Sequence, residues 1–420
     1  MVPKEKKETN TRKDILICGG NGFTAQKLLE YIVEQRPRLK IGVTCRNAQK
    51  LAGVFKGIEL ATHKSLDGVS KHIVGVDDPK ALSRVFKKYR VVINCIGPFA
   101  HTGLQIVDAA IKAKTHYIDC TGEPGFMGQS MAVFSDKALA AGVMVVHACG
   151  FDSLPIDIGM VYTMKEIGKS KEVVEAYAES YMHLVNARIN LGTFRTIITS
   201  LDLLKGRKPE KKALAKEHKP TPSAKRRVKK MPFFSKKTNM YALIFPGSDS
   251  FVLRETRKKL GGIYPNCHCY ISVSTIFGVF CTLMLGLLVG LVYLLPNALR
   301  EVAYKYIDIL SFGRVRSQGP SDNEIACSAF QTKIFIKGVD KTGEIFNFQT
   351  MVSGPDPGYV TTPVALLVSA ETILANEKTS LKKTRGIFTP GAAFSETDII
   401  PRLAKEQIVF STLPVGVRSL

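Results

Sequence analysis

The chain of 420 residues predicts an α/β fold, with a doubly wound parallel sheet at the amino terminus and a second, α+β domain behind it. A glycine-rich turn joins the first apolar run to an amphipathic segment. Apolar runs and helical segments then alternate six times over about the first 150 residues. Beyond residue 172 the apolar runs become longer, and two of them flank a short polar turn. The first pattern is typical of parallel βαβ units, and the second is typical of antiparallel strands.

The glycine-rich turn has the order strand, tight turn, helix. Ile15 to Cys18 is the apolar run, and Gly19-Gly20-Asn21-Gly22-Phe23-Thr24 forms the turn and opens the helix. Gly19 would make the turn without a Cβ clash, and Gly22 would let a cofactor pyrophosphate approach the backbone. Free N–H groups at the helix start would bind the phosphates. The spacing Gly-x-x-Gly-x-x-Ala, which ends at Ala25, therefore predicts a dinucleotide-binding domain of the Rossmann type.

The residue after the second predicted strand indicates which dinucleotide binds. This strand, Lys40 to Cys45, ends at Arg46, and Lys50 follows one helical turn later. An acidic residue at this position would bind the ribose 2′-hydroxyl of NAD. A guanidinium instead suits the 2′-phosphate of NADP, through paired, charge-assisted hydrogen bonds. The alternative is a surface arginine at a strand end. With the glycine turn upstream, we favour NADP(H) over NAD(H).

The fourth predicted strand supplies the loop nearest the reactive end of the cofactor. Val91 to Cys95 is continuously apolar, as expected of a parallel strand that is buried on both faces. Ligands of such sheets bind at the carboxyl ends of the strands. We therefore expect Asn94, Gly97 and Pro98 to lie near the nicotinamide. Other strands of this domain are predicted over His72 to Val76, His116 to Asp119 and Val143 to His147.

Three acidic residues follow the later strands and are candidates for catalysis. Asp119 ends the fifth strand, Glu123 lies four residues further on, and Asp152 follows the sixth strand. A carboxyl group at such a position can orient substrate or relay a proton. The alternative is that these residues cap turns and helices: Asp152 and Ser153 precede Pro155 in an N-cap arrangement. The sequence does not choose between these roles.

A second domain of the α+β class is predicted from its long strands. Val173 to His183 and Ala326 to Ile336 are such strands, and the latter pairs with Ile345 to Val352 in a hairpin. A helix with an apolar face is predicted over Thr361 to Asn376. The predicted divisions of the chain are a disordered tail over 1–13, a Rossmann domain over 14–160 and the second domain over 161–385.

The net charge of +23 is concentrated in a basic loop, residues 205–237, which holds 14 Lys or Arg against two Glu. One interpretation is a solvated surface loop. The other is attraction to an anionic membrane, where each basic residue contributes about 1 kcal/mol. Nucleic acid is a third interpretation, which we discount because no recognised nucleic-acid motif accompanies the charge and only Phe233 and Phe234 supply aromatic rings.

An apolar membrane-type segment, residues 271–296, interrupts the second domain. No charged residue occurs from Tyr270 to Pro296, and a helix of this length, about 40 Å, is long enough to cross a bilayer. Basic residues flank it on both sides, so charge does not select an orientation. The alternatives are a transmembrane span, insertion into one leaflet, and a buried helix in the core or in a homodimer. A span is excluded if the residues after 300 complete the second domain.

The cysteines and the amino terminus indicate an intracellular protein that is not secreted. Nine cysteines are an odd number without a disulfide framework, and the charged start Met-Val-Pro-Lys-Glu-Lys-Lys does not resemble a secretory signal. Cys267-His268-Cys269 has no second ligand pair at zinc-finger spacing. We therefore expect free thiols and no metal site.

The chain resembles the saccharopine dehydrogenase-like oxidoreductases over nearly its whole length, from about Asp14 to Phe410. Residues 19–24 are similar to the family's Gly-Ala-Ser/Thr-Gly-Phe-Thr, and Val91 to Pro98 is similar to its Val-Val-Leu-Asn-Cys-Val-Gly-Pro. Five further blocks match, at Tyr117 to Pro124, Gly150 to Asp157, Ser317 to Pro320, Gly358 to Pro363 and Phe388 to Phe394. One departure is Thr44-Cys45-Arg46, where the family usually has Ala-Gly-Arg.

The resemblance implies an NADP(H)-dependent oxidoreductase in which residues 386–420 return to the Rossmann domain. It implies a lipid-linked or other hydrophobic substrate, because bacterial relatives are similar to trans-acting enoyl reductases of lipid biosynthesis; it does not imply saccharopine. It also implies association with lipid droplets or other membranes, of mitochondria or the endoplasmic reticulum, through residues 271–296. The alternative is an NADP(H)-binding or scaffold protein of such surfaces that performs no turnover.

Overall fold

Six strands form in the first 150 residues of the structure, a computed structural model that describes residues 12–205, 228–261 and 264–413. Five of them lie within two residues of their predicted bounds, and the third, predicted over His72 to Val76, instead spans Ser70–Ile73. The elements of this part are, in chain order, β1 (Lys13–Cys18), α1 (Phe23–Gln35), β2 (Ile41–Cys45), α2 (Ala48–Thr62), β3 (Ser70–Ile73), α3 (Pro79–Phe86), β4 (Tyr89–Asn94), α4 (Phe99–Lys112), β5 (His116–Asp119), α5 (Pro124–Ala140), β6 (Met144–Val146) and α6 (Leu154–Gly168).

The rest of the chain contains helices and strands, and three of its strands, β7, β13 and β14, are long, as the sequence predicts. The helices of the remaining chain are α7 (Leu191–Lys205), α8 (Asp249–Leu260), α9 (Ile276–Leu294), α10 (Asn297–Lys305), α11 (Ile307–Leu310), α12 (Asp322–Ala326), α13 (Thr362–Asn376), α14 (Pro390–Phe394) and α15 (Ile399–Lys405). Its strands are β7 (Val173–Val185), β8 (Ile189–Asn190), β9 (Phe233–Ser235), β10 (Met240–Ile244), β11 (Asn266–Val273), β12 (Val315–Arg316), β13 (Ala329–Asp340), β14 (Ile345–Pro355), β15 (Gly386–Phe388) and β16 (Val409–Leu413).

The first sheet has the strand order β15-β6-β5-β4-β1-β2-β3, and every neighbouring pair is parallel. A parallel sheet covered by helices buries both of its faces, and Ile15, Leu16 and Ile17 accordingly have no exposed surface. The strand order changes direction between β1 and β4, which is where doubly wound sheets bind ligands. The predicted α/β class with a Rossmann sheet is confirmed.

The second sheet has the order β16-β14-β13-β7-β11-β10-β9 and is mixed, because β7 and β11 run parallel. The predicted hairpin forms between β13 and β14. Its first strand begins at Ala329, three residues later than predicted. The delay has a local cause: residues 322–326 form α12, and a reciprocal capping box between Ser321 and Glu324 stabilises the start of that helix.

Two segments of the chain differ from their predicted roles. Residues 233–235, predicted within the basic loop, form strand β9 and pair with β10; residues 206–227 of that loop lie outside the described residues. The carboxyl-terminal segment returns to the first sheet through β15 only, because β16 pairs with β14 in the second sheet. There it satisfies the backbone groups along the outer side of β14, which would otherwise be an edge strand.

The apolar segment 271–296 is part strand and part helix. Its first residues complete β11, and α9 begins only after Thr275, whose side chain caps the helix by accepting a hydrogen bond from the N–H of Gly278. Strands on both sides of α9, β11 and β13, pair with β7 in one sheet. A simple transmembrane span is therefore incompatible with this fold. Residues 357–376 also have the length and apolarity of a span, but most of that segment is buried as a core helix.

Asp157 ties the carboxyl-terminal segment to the body of the protein. This fully buried carboxylate accepts hydrogen bonds from the N–H of Gly391 (2.6 Å), the hydroxyl of Thr256 (2.8 Å) and the hydroxyl of Tyr264 (3.2 Å). It thereby joins α6, α8 and α14. Burial nevertheless raises the pKa of Asp157 from 3.8 to about 7, because desolvation opposes the charged form more than the donors favour it.

We expect Asp157 to make stability depend on pH. The folded state binds a proton at this carboxyl up to about pH 7, whereas the unfolded state releases it near pH 3.8. The stabilisation is therefore complete below the unfolded pKa and is lost as the pH rises through the folded pKa. Denaturant unfolding of the wild type and of Asp157→Asn between pH 5 and 8 will show the wild type losing stability relative to the variant, with a plateau above pH 7. A difference that does not change with pH would contradict this.

Candidate functional site

The glycine loop after β1 has the conformation that a phosphate loop requires. Gly19 has a φ of +85°, and the N–H of Gly22 donates to its carbonyl oxygen at 2.8 Å. A Cβ at Gly19 would lie 2.7 Å from Cγ1 of Ile96, and one at Gly20 would lie 2.0 Å from Cγ1 of Val43. Gly19 is thus needed for the turn and Gly20 for packing of the loop on β2. The sequence predicts roles for Gly19 and Gly22 but not this packing role of Gly20.

The start of α1 is open to an anion. Gly22 is its N-cap, with extended backbone, and no side chain of the described residues caps the helix. The first turn contains no acidic residue. Helix N-terminal N–H groups without internal partners bind phosphate, aided by the helix dipole. Residues 19–24 therefore fit the pyrophosphate of a dinucleotide.

Arg46 lies exposed directly after β2, at the same edge of the sheet as the glycine loop. Neither a hydrogen bond nor an ion pair joins its guanidinium to the part of the chain that the structure describes. Lys50 and Asn21 line a groove of about 660 Å³ between α1 and α2 nearby. An available guanidinium with a lysine one turn away fits the 2′-phosphate of NADP(H).

Asn94 holds the loop after β4, which contains Gly97 and Pro98, in position. Its side chain is fully buried, donates to the hydroxyl of Tyr117 at 3.0 Å and accepts from the N–H of Ile96 at 3.0 Å. The structure thus places Asn94 under the loop that contains Gly97 and Pro98. Of these three predicted cofactor residues, Gly97 and Pro98 form the loop surface, and Asn94 holds it in place.

Glu123 caps the helix that begins after this loop. Its two carboxylate oxygens accept hydrogen bonds from the N–H groups of Phe99 (2.8 Å) and Ala100 (2.9 Å), at the start of α4. The side chain is buried, and burial raises the pKa of Glu123 in spite of the two donors. This geometry favours the capping role over a direct proton transfer to substrate.

Asp119 is likewise committed to structure. It is fully buried and forms a 2.7 Å contact with Nδ1 of His147. Its other oxygen accepts from the N–H of Ala148 (3.0 Å) and of Thr121 (3.1 Å). Asp119 therefore connects the loops after β5 and β6 and has no surface with which to touch a substrate.

Asp152 is the accessible carboxyl among the three candidate acids. Its side chain is exposed, yet protein atoms surround it closely, and desolvation raises the pKa of its carboxyl. One of its oxygens lies 2.6 Å from the position that a Cβ on Gly122 would occupy. No group in the described ranges donates a hydrogen bond to this carboxyl. Asp152 thus fits a proton donor at the carboxyl edge of the first sheet.

Two residues of the second domain, Tyr359 and Thr196, lie at the site although the sequence does not predict them there. The hydroxyl of Tyr359 accepts a hydrogen bond from the N–H of Asn190 (2.7 Å), and its ring lies edge-on to Phe23, with centroids 4.8 Å apart. The hydroxyl of Thr196, on α7, lies 3.5 Å from the position of a Cβ on Gly97. Tyr359 lies in the block Gly358 to Pro363 that resembles the family, but no motif marks Thr196.

A cavity of about 480 Å³ at the opposite edge of the sheet has a structural explanation. All three arginines that line it donate to carbonyl oxygens at helix ends or in adjacent turns, where the helix dipole favours cations. The donors and acceptors are Arg12 with Lys87 and Lys114, Arg90 with Leu374, and Arg385 with Leu381. This cavity lies away from the cofactor loops and is not the functional site.

Comparison with known proteins agrees with the site geometry. Residues 15–146 match the family model described as "Saccharopine dehydrogenase NADP binding domain". A saccharopine dehydrogenase-like oxidoreductase of Pongo abelii is 30% identical, covering 95% of this chain and 97% of that protein. A saccharopine dehydrogenase (L-Glu forming) from Saccharomyces cerevisiae is similar in structure, with a TM-score of 0.54 over 96% of this chain and 100% of that chain. At 13% identity, the last similarity shows the fold alone.

Two further relatives have names that indicate a location. A lipid droplet localized protein of Caenorhabditis elegans is 28% identical over 95% of this chain and 98% of its own length. A probable mitochondrial saccharopine dehydrogenase-like oxidoreductase of Arabidopsis thaliana is 26% identical over 95% and 96%. The predicted resemblance is confirmed, and NADP(H) is the cofactor of the matching domain.

We expect Arg46→Ala to weaken NADPH binding roughly 10- to 100-fold and to leave NADH binding unchanged, because it removes charge-assisted hydrogen bonds to the 2′-phosphate alone. Calorimetric titration with both nucleotides measures this. Arg38→Ala is the matched control, since Arg38 is also exposed but lies before β2, at the other edge of the sheet. Equal loss of NADPH and NADH affinity in Arg46→Ala would refute the assignment.

Proposed function

The chain belongs to the saccharopine dehydrogenase-like oxidoreductases, and from this premise we propose that it uses NADPH to reduce a lipid-linked or other hydrophobic substrate at a membrane or lipid-droplet surface. The family and the cofactor are given by the comparisons. The substrate class and the place of action are our proposal, and they rest mainly on the exposure of α9.

Helix α9 presents a continuous apolar face to the outside of the protein. Six side chains at three- and four-residue spacing have 52% to 72% of their surface exposed: Ile276, Phe280, Leu283, Leu287, Leu291 and Leu294. The helix is about 28 Å long, and it contains no charged residue. An exposed apolar surface of this extent is typical of a site for a membrane or another protein.

The next two helices extend this apolar face. Leu299 and Val302 on α10 are each about half exposed, Ile309 on α11 is 74% exposed, and Phe312 in the following turn is 88% exposed. Lys305, also exposed, lies among them. We call the exposed residues of α9, α10 and the 309–312 turn the docking surface. Apolar side chains with a neighbouring lysine suit an in-plane position in one leaflet.

The fold supports insertion into one leaflet. The strands before and after α9 lie in the same sheet, so both ends of the helix stay with the body of the protein. The Lys- and Arg-rich residues 206–227 follow α7 in the sequence and would favour an anionic lipid surface. A homodimer that buries the same face is the competing arrangement. The location names of two relatives favour lipid droplets or mitochondria for this chain.

The reaction needs a proton in addition to the hydride that NADPH supplies when bound. Asp152, accessible and with a raised pKa, is the residue that we assign to hold this proton. Glu123 and Asn94 keep the Gly97-Pro98 loop in position. The alternative function is a non-catalytic NADP(H)-binding or scaffold protein of lipid surfaces, in which Asp152 would have no chemical role.

We expect Asp152→Asn to bind NADPH as the wild type does and to lose about 100-fold or more of its NADPH oxidation with a total lipid extract, because it removes a general acid. The wild-type rate will fall as the pH rises through the pKa of Asp152, and the variant will not show this fall. Absorbance at the NADPH band measures the rate, and Asp136→Asn, on an exposed face of α5, is the control. NADPH binding without oxidation by any lipid fraction would favour the scaffold alternative.

We expect Leu283→Ser combined with Leu287→Ser to lower partitioning into lipid vesicles by roughly 10- to 30-fold, because each leucine contributes about 1 kcal/mol on burial from its half-exposed state. Vesicle sedimentation measures the bound fraction. The control is Leu60→Ser combined with Leu139→Ser, two leucines on other helices that are somewhat more exposed than Leu283 and Leu287. An unchanged vesicle fraction, together with loss of a dimer in light scattering, would instead support the homodimer.

A further inference from the structure

Helix α7 lies between the cofactor loops and the docking surface and contacts both. Building on the proposed function, we propose that α7 couples membrane docking to NADPH binding, so that each event strengthens the other. The lipid surface would then regulate the cofactor site. The coupling arises because one helix, α7, contacts the cofactor loops on one side and the helices of the docking surface on the other.

On its inner side, α7 reaches the cofactor site at two points. Asn190, which precedes the helix, donates its N–H to the Tyr359 hydroxyl, and the ring of Tyr359 contacts Phe23 of the glycine loop. One turn into the helix, Thr196 lies against Gly97 of the Gly97-Pro98 loop. The helix also lies close to α4 and α5, whose first turns follow that loop and the loop after β5. A displacement of α7 would therefore change both cofactor loops.

On its outer side, α7 is packed into the helices of the docking surface. Phe194 and Ile198 have at most 1% of their surface exposed, and they form one apolar cluster with Val292 of α9 and with Tyr304 and Ile307 of α10 and α11. Spacing of four residues places Phe194 and Ile198 on one face of the helix, away from Thr196. The two sides of α7 thus serve different neighbours.

Polar contacts also connect α7 to α10 and α10 to α9. The guanidinium of Arg300, on α10, binds both carboxylate oxygens of Asp202 on α7 and also donates to the carbonyl oxygen of Leu295 at the end of α9. Arg195 pairs with Glu301 at 2.7 Å. These pairs join α7, α9 and α10, so we expect the three helices to move as one unit.

Docking then changes the cofactor site through this unit. In water the outer face of α9 is exposed, and the helix is held from its inner side only. Burial of that face in a leaflet fixes α9 from both sides and favours the position in which α7 supports Gly97 and Tyr359. A ligand shifts an equilibrium by its differential affinity for two states, and the shift is reciprocal: NADPH must strengthen docking by the factor by which docking strengthens NADPH binding.

A four-state binding cycle with the full-length protein tests the proposal without a known substrate. NADPH affinity is measured by calorimetry with and without vesicles of phosphatidylcholine and phosphatidylserine, and vesicle affinity is measured by sedimentation with and without NADPH. We expect each ligand to strengthen the other roughly five-fold or more, by the same factor in both directions. Independent binding of the two, with a factor of one, would overturn the coupling and leave the proposed function intact.

Two variants test whether α7 carries the coupling. Ile198→Ala removes part of the apolar cluster that joins α7 to α9, and it leaves the docking surface and the cofactor residues unchanged. Both separate affinities therefore persist, and the factor falls towards one. Arg300→Gln, which breaks the pair with Asp202, has the same expected effect and serves if Ile198→Ala destabilises the fold. Ile399→Ala, at an equally buried isoleucine on α15, is the control that keeps the factor. A wild-type factor in both Ile198→Ala and Arg300→Gln would overturn the proposal.

Failure of the proposed function gives a different result. A folded wild-type protein that binds NADPH and ignores vesicles at every composition would remove the membrane from both proposals. One that binds vesicles and not NADPH would remove the reductase. Only the case in which both ligands bind, each unaffected by the other, contradicts the coupling alone.

Discussion

Buried carboxylates that accept hydrogen bonds from backbone N–H groups are the constraint on which this structure depends. Glu123 binds the first N–H groups of α4, Asp119 binds the loops after β5 and β6, and Asp157 binds the turn that opens α14. Apart from the local bond between Asp119 and Thr121, each interaction joins segments that are distant in the chain. Together they hold the carboxyl edge of the first sheet and anchor the carboxyl-terminal segment to α6.

Such carboxylates are costly unless their oxygens are satisfied, because burial removes them from water. The raised pKa values of Glu123 and Asp157 express that cost, and the multiple donors around each oxygen pair offset it. The arrangement also separates structure from chemistry. With Asp119 and Glu123 committed to loops, the accessible Asp152 is left as the candidate acid, and the loops that face the cofactor gain a rigid support.

The sequence predicts the first sheet well because its information is local. Apolar runs, the glycine turn and Arg46 identify strands, loop and cofactor without knowledge of distant contacts. The sequence does not assign roles to the acidic residues, because an acidic residue after a strand has the same local pattern whether it caps a helix or faces a substrate. Only burial distinguishes Glu123 from Asp152. The N–H of Asn190 donates to the hydroxyl of Tyr359, which lies 169 positions away in the sequence. Strand β16 pairs with the edge of the second sheet, at β14. No periodicity in the sequence encodes either contact.

Strand β15 is the outermost strand of the first sheet and is formed by residues 386–388, near the end of the chain. During synthesis, the sheet that begins with β1 therefore stays incomplete until residue 388 has left the ribosome. The apolar helix α9 emerges about a hundred residues earlier, before its sheet has received β13, β14 and β16. For that interval the chain holds its most apolar helix beside a sheet with unpaired strand edges, and such surfaces make folding intermediates prone to aggregation.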